Sequence, residues 1–357
     1  MSAEGASGLP QAAQNLAASG LGSPHRAQTG MAGVYGGSGR LLAWRADGTR
    51  PPADVRIVAL AVGAGTIALA ASAAAPPRFA GCPVFPADNH WNQRVDKLPV
   101  AANSRALVDS IGAGTGLHAD FGSGLWNGAP IGIPITVVRG RVRMSRVSFD
   151  YADESDRGPY PITADVRIEG GGDRHALIVD SPTCTLYELY ALRRAGHGWH
   201  AGSGAIWSLR SNRLRPAGWT SADAAGLPIL PGLVRWSEVA AGRIDHALRF
   251  TVERTRRAYV WPARHSGGDL TDPNLPPMGL RLRLRADYPV AGFPRQARVV
   301  LAALKRYGMI VADNGTSWYI TGEPSARWSN DDLHTLGRVP GSAFEVVETR
   351  SLRARAK

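Results

Sequence analysis

Between residues 130 and 287 the chain repeats one pattern: a short run of β-branched or aromatic residues, then a break at Gly, Pro, Asn or Asp. The runs are PIGIPITVV (130–138), RVRMSRVSFDY (141–151), HALIVD (175–180), CTLYELYALR (184–193), GAIWSL (204–209), HALRFTV (246–252), RAYVWPA (257–263) and LRLRLRAD (280–287). Such runs suit strands, and the glycine breaks at 170–172, 202–204 and 267–268 suit turns. The cadence predicts a mainly β fold, an antiparallel β-sandwich or jelly-roll-like domain. Asn103–Ile111 is the exception, with Ala106, Leu107 and Ile111 at helical spacing. From Phe293 the text predicts a small C-terminal α+β cap. It comprises a helix PRQARVVLAALKRYG stopped by Gly308, a hairpin of MIVAD and SWYIT about Asn314-Gly315, a short helix capped by Asn330, and a strand FEVVE.

Ile57–Ala75 carries no charge, follows Arg56 and ends in small residues. Residues 56–75 read as a signal peptide cut near Ala73, with a signal anchor as the alternative, since the run is about long enough for a ~30 Å hydrocarbon core. Residues 1–55 are rich in Gly, Ala and Ser without apolar period, and read as disordered or as the product of a start codon assigned too far upstream. Residues 78–292 then form the β-rich domain, 293–349 its C-terminal part, and 350–357 a tail. An exported chain with two cysteines is expected to join them, here Cys82 to Cys184. The expected location is outside the cell, in solution or associated with the wall, with a membrane role only if the signal segment stays uncleaved.

The formal net charge is +12, from Arg dispersed singly or in pairs, as in Arg139, Arg141, Arg143 and Arg146, or Arg281, Arg283 and Arg285. Arg alternating with apolar residues suits a strand with one wet face. No nucleic-acid-binding module or clustered basic stripe accompanies the charge, so its expected partners are anionic surfaces or polymers such as cell-wall polysaccharides, the alternative being a plain Arg bias in composition.

Chemistry is sought first in Asp153, Glu154 and Asp156, because crowded carboxylates raise one another's pKa and one can then serve as a general acid. A solvated acidic turn or a calcium site is the plainer reading of that string. Further candidates are Asp88, Glu169, Asp173, His175 and His246, with Asp173 and His175 on one face of a strand. A histidine in a strand is otherwise a hydrogen-bonded core residue. His90, Trp91, Trp126, Arg249, Trp261 and His265 are the candidate substrate contacts, since an indole stacks on the apolar face of a sugar. No HExxH, CxxC or EF-hand spacing is present, so no metal ligands are assigned and no cofactor is expected beyond an optional calcium.

The segments ADNHWNQRVDKLPV, FDYADESDRGPYP, GGDRHALIVD, TLYELY, WTSADAAGLPILPGLVRWSEVAAGRIDHALRFT, WPARH and LKRYGMIVADNGTSWYITG together resemble an uncharacterised family of secreted bacterial proteins of the soil, actinobacterial type. The likeness covers roughly residues 82–349 and implies export without implying a reaction. The residues themselves point first to a glycoside hydrolase with paired carboxylates acting on an extracellular or cell-wall polysaccharide. A lyase on an anionic glycan comes second, and a non-catalytic carbohydrate-binding or wall-associated protein third.

Overall fold

The computed structural model describes residues 75–353. The extension 1–55 and the apolar run up to residue 74 lie outside the described residues.

The chain is mainly β. Its largest sheet has six strands, in the order Phe344–Val346, Arg281–Leu284, Met309–Asn314, Leu248–Val252, Tyr319–Thr321 and His118–Asp120. A four-stranded sheet follows the order Ser203–Ser208, Thr185–Tyr190, Ala176–Asp180 and Ile135–Val138. A three-stranded sheet joins Arg193–Ala195, Gly198–Ala201 and Val147–Phe149. All three are mixed, each containing at least one parallel pair.

Strand Ala176–Asp180 shows how the sheets stack. Leu177 and Val179 enter the core shared with the six-stranded sheet, whereas Ala176 and Ile178 enter a second core with Val147, Trp199 and Ala201 of the three-stranded sheet. Period-two alternation with both faces apolar is what a strand between two cores requires. The buried segment Ala222–Val234 adds Leu227, Ile229, Leu230 and Leu233 to the first core. Its backbone is held by fully buried Glu188, whose carboxylate accepts the N–H groups of Ile229 and Leu230 and the indole N–H of Trp207.

The C-terminal segment is woven into the largest sheet. Helix Arg295–Arg306 follows Pro294 and buries Ala297, Val300, Leu301 and Leu304. Gly308 then turns at φ +67°, where a Cβ would lie 2.0 Å from the Leu282 carbonyl oxygen. The expected hairpin about Asn314-Gly315 is not formed. Strand Leu248–Val252 runs between its two arms, parallel to Met309–Asn314 and antiparallel to Tyr319–Thr321. All five residues of that strand are buried, so pairing on both edges satisfies its backbone where a two-strand hairpin would leave it uncovered. Ser329, not Asn330, caps helix Asn330–His334 by accepting the Asp332 N–H. Asn330 instead fastens Ser123 through both its side-chain oxygen and nitrogen. The expected tail opens with a helical turn from Arg350, and Leu352 packs on Val95 and Val347.

The arginine ladder has no uniform wet face. Arg281 is buried and donates to the carbonyls of His90, Gln93 and Tyr307; Arg283 donates to Glu345 and two carbonyls; Arg285 pairs with Asp287 at the surface. Backbone acceptors stand in for water around Arg281, which is how a guanidinium with five donors is tolerated inside. Nor is RAYVWPA a ladder strand: it is held by isolated bridges such as Tyr259 to Met278.

Cys82 and Cys184 form the expected disulfide, with Cα atoms 5.5 Å apart and 102 residues between them in the chain. Closing so long a loop lowers the entropy of the unfolded chain by an amount worth about 4 kcal/mol. Reduction is therefore expected to lower the melting temperature by about 10 °C, read by calorimetry with and without a thiol reductant. A shift within a degree would mean that the bridge constrains nothing. Among the described residues no helix is long and apolar enough to cross a membrane.

Candidate functional site

The Gly-rich turn before strand Ala176–Asp180 folds Glu169 back onto His175. His175 Nδ1 lies 2.5 Å from Glu169 Oε2, its backbone N–H donates to the same oxygen, and its Nε2 lies 3.1 Å from the Ala222 carbonyl. Both ring nitrogens face acceptors, so both carry protons. Burial alone would lower the pKa of this imidazole, but Glu169 and Asp173 outweigh it and raise the value to about 9. The folded chain thus holds this proton more tightly than the unfolded chain, whose ordinary value is 6.5. The resulting stabilisation is complete below pH 6.5 and is lost as the pH rises through about 9. Melting temperature should decline over that window in the native chain and decline less in His175→Gln; equal slopes would refute the imidazolium.

Arg249 reaches the same place from the six-stranded sheet. It is fully buried and donates from Nε and Nη2 to the two oxygens of Asp223 at 3.0 and 2.5 Å, and from Nη1 to Thr321 Oγ1 at 2.7 Å. Asp223 sits in the buried segment that also supplies the Ala222 carbonyl, so one stretch of chain grips both His175 and Arg249.

Asp313 is the penultimate residue of strand Met309–Asn314, with its carboxylate 3.8 Å from Arg249 and its side chain 18% exposed. Desolvation raises its pKa well above the usual carboxylate range, and the neighbouring charges of Asp223 and Asp173 push the same way against Arg249. Asp313 also hydrogen-bonds Asp223. Contact with a second carboxylate favours the protonated form of Asp313, in the same direction as its burial. His265, on the adjoining loop, faces the Ala224 carbonyl at 2.8 Å.

A groove adjoins the acids on the same sheet face. Across neighbouring strands His118 lies opposite Tyr319, Tyr319 opposite Thr251, and Thr251 opposite Asp313, a single cross-strand row. Facing residues project to one side. The His118 and Tyr319 rings stack at 4.1 Å and 27°. Burial, with a smaller push from His334, lowers the His118 pKa to about 4, so this platform is uncharged. Both rings line a cleft of about 750 Å³ with Asp120, Asn330 and Trp126, whose indole is 38% exposed. Tyr319 stands two strand spacings, roughly 10 Å, from Asp313 along the row.

Of the residues expected from the sequence, Glu169, Asp173, His175, Arg249 and His265 converge here, and Trp126 borders the adjoining groove. The acidic string is not brought to this place. Glu154 accepts the Thr220 N–H, Asp156 accepts from Arg215 and the Ile206 N–H, and Asp153 stands exposed. Those bonds pin a surface turn to the 215–220 loop. His90 and Trp91 are core residues, 3% and 0% exposed, and so cannot meet a sugar. Arg249, fully enclosed, positions Asp223 and Asp313 instead of touching substrate. His246 bonds Glu238, which burial opposes but Arg235 and His246 hold ionised at about 2, in a structural knot. Asp88 accepts from Asn212 at the exposed N-terminal loop, and Trp261 packs edge-on against His90. Asp223, Asp313 and Thr321 were not foreseen. Among the described residues no group of three or more His, Cys, Asp or Glu side chains is arranged to hold a metal ion.

Comparison with protein-family models, with curated proteins and with solved structures gives no match to this chain.

Proposed function

We propose that this protein is an exported carbohydrate-active enzyme, a glycoside hydrolase acting on an extracellular or cell-wall polysaccharide. The observation that carries the reading is Asp313, a carboxyl raised in pKa at a partly open position on the face that bears the aromatic groove. Hydrolysis of a glycosidic bond needs an acid to protonate the departing oxygen and a carboxylate to attack the anomeric carbon or activate water. Asp313 takes the first role. Glu169 takes the second: His175 engages only its Oε2, so Oε1 remains available to the reaction. Glu169 and Asp313 both act on Arg249, which fits their working as a pair. The separation of Tyr319 from Asp313 suits an oligosaccharide chain. Arg249 is already paired with Asp223, so it is not free to neutralise a uronate as a lyase would require.

The test is a panel of polysaccharides incubated with the protein. New reducing ends support a hydrolase; ultraviolet absorbance from an unsaturated product identifies a lyase; binding without either product identifies a non-catalytic protein. The last two outcomes overturn the proposal.

A further inference from the structure

A second cleft, of about 810 Å³, opens beside the three-stranded sheet and shares no lining residue with the carboxylate site. Its walls carry Arg143, Arg146, Arg194 and His197 and no carboxylate. Among the described residues none of these four cations forms an ion pair, in a chain where Arg215, Arg235, Arg249, Arg283 and Arg285 each do. The arrangement is built. Segment 141–146, expected as a strand, is irregular until Val147, and Ser145 exchanges both backbone hydrogen bonds with Tyr160. That clamp holds Arg143 and Arg146 on one wall while Arg194 projects from the edge strand Arg193–Ala195. Arg194 lies 3.9 Å over the Trp199 ring, which orders its guanidinium.

We infer that this cleft binds an anionic polysaccharide through carboxylate or sulfate groups repeated along the glycan. Guanidinium groups take such oxyanions by paired N–H donation, and several unpaired ones around one recess favour a multiply charged ligand over a single ion. A nucleic acid is the poorer fit, because Arg194 covers the one aromatic face in the cleft and leaves no ring for base stacking. Charges on opposite walls of a recess suit a chain that enters it better than a flat membrane surface. The inference does not depend on the hydrolase reading: a glycan held here tethers the protein whether or not the carboxylates act.

The test is binding of polygalacturonate and of dextran sulfate to the full chain, measured with neutral dextran, single-stranded DNA and phosphatidylglycerol vesicles alongside. Replacing Arg143, Arg146 and Arg194 by Ala is expected to weaken both anionic glycans at least about tenfold and to lower the slope of log Kd against log salt by about 2 to 3. A control triple at the exposed Arg105, Arg298 and Arg327 should change affinity less than about twofold, because its charges lie outside the cleft. The double variant Arg143→Ala/Arg146→Ala removes two exposed side chains without internal partners, so an intact melting transition with weakened binding supports the site apart from any folding defect. Equal losses in the two triples overturn the inference, as do neutral dextran binding as well as the charged glycans, or DNA or vesicles binding more tightly than either.

Discussion

Replacing Asp313 by asparagine is expected to cut the turnover of any polysaccharide substrate at least about a hundredfold, the usual worth of a general acid, while leaving the melting temperature unchanged or higher. Asparagine keeps the shape of a protonated aspartic acid and can still donate to Asp223, so the fold loses nothing. It also removes a carboxyl whose ionisation is opposed by burial and by Asp223 and Asp173. In the unaltered protein, activity should fall as rising pH strips this proton. Glu169→Gln should give a similar loss of turnover and should also lower the His175 pKa, seen as a chemical shift in histidine NMR. Asp313→Asn with activity within a few-fold of the native protein would remove Asp313 from the mechanism.

The largest stability effect is expected at Asp223. Truncation to alanine leaves the Arg249 guanidinium fully buried with Thr321 and a more distant Asp313 as its remaining side-chain partners. Breaking a buried pair from one side typically costs 3–5 kcal/mol, and here roughly the upper figure applies, a large part of the stability of an ordinary domain. The double variant Asp223→Ala/Arg249→Met removes the orphaned charge as well, so it should melt higher than Asp223→Ala alone. Denaturant titration of the three proteins decides the matter. If the double variant is the less stable of the two, the cost lies in lost packing and not in the unpaired charge.

Part of this site was legible beforehand. Glu169, Asp173 and His175 stand close together around a triple glycine, and alternation sets Leu177 and Val179 on one face, although the strand itself begins only at Ala176. Asp223 and Asp313 were not legible, because each looks local: one lies in a small-residue stretch, TSADAAG, the other before Asn-Gly, where an aspartate is normally a solvated turn residue. Only the packing of the Ala222–Val234 segment, between elements remote in the chain, turns these two acids toward each other. Asp153, Glu154 and Asp156 misled for the opposite reason. Their density was visible, but their bonds to Arg215, Thr220 and Ile206 were not. The aromatic signal divided the same way: ten tryptophans suggested a sugar cleft, yet Trp91 and Trp318 are fully buried whereas Trp126 borders the groove.

The strand that parts Met309–Asn314 from Tyr319–Thr321 bears on how the chain finds its structure. Asn-Gly between two apolar arms favours a hairpin that closes in microseconds, long before residues some sixty positions upstream can arrive. If that local pairing forms first, it has to open again before Leu248–Val252 can enter, and His118–Asp120 joins the far edge across a separation of about two hundred residues. A sheet assembled this way gathers slowly, since loop closure precedes reward at each step. Refolding from denaturant should therefore show a phase that quickens when Gly315 is replaced by a residue that disfavours the tight turn. The sequence element that looks most helpful to folding would then be the one that delays it.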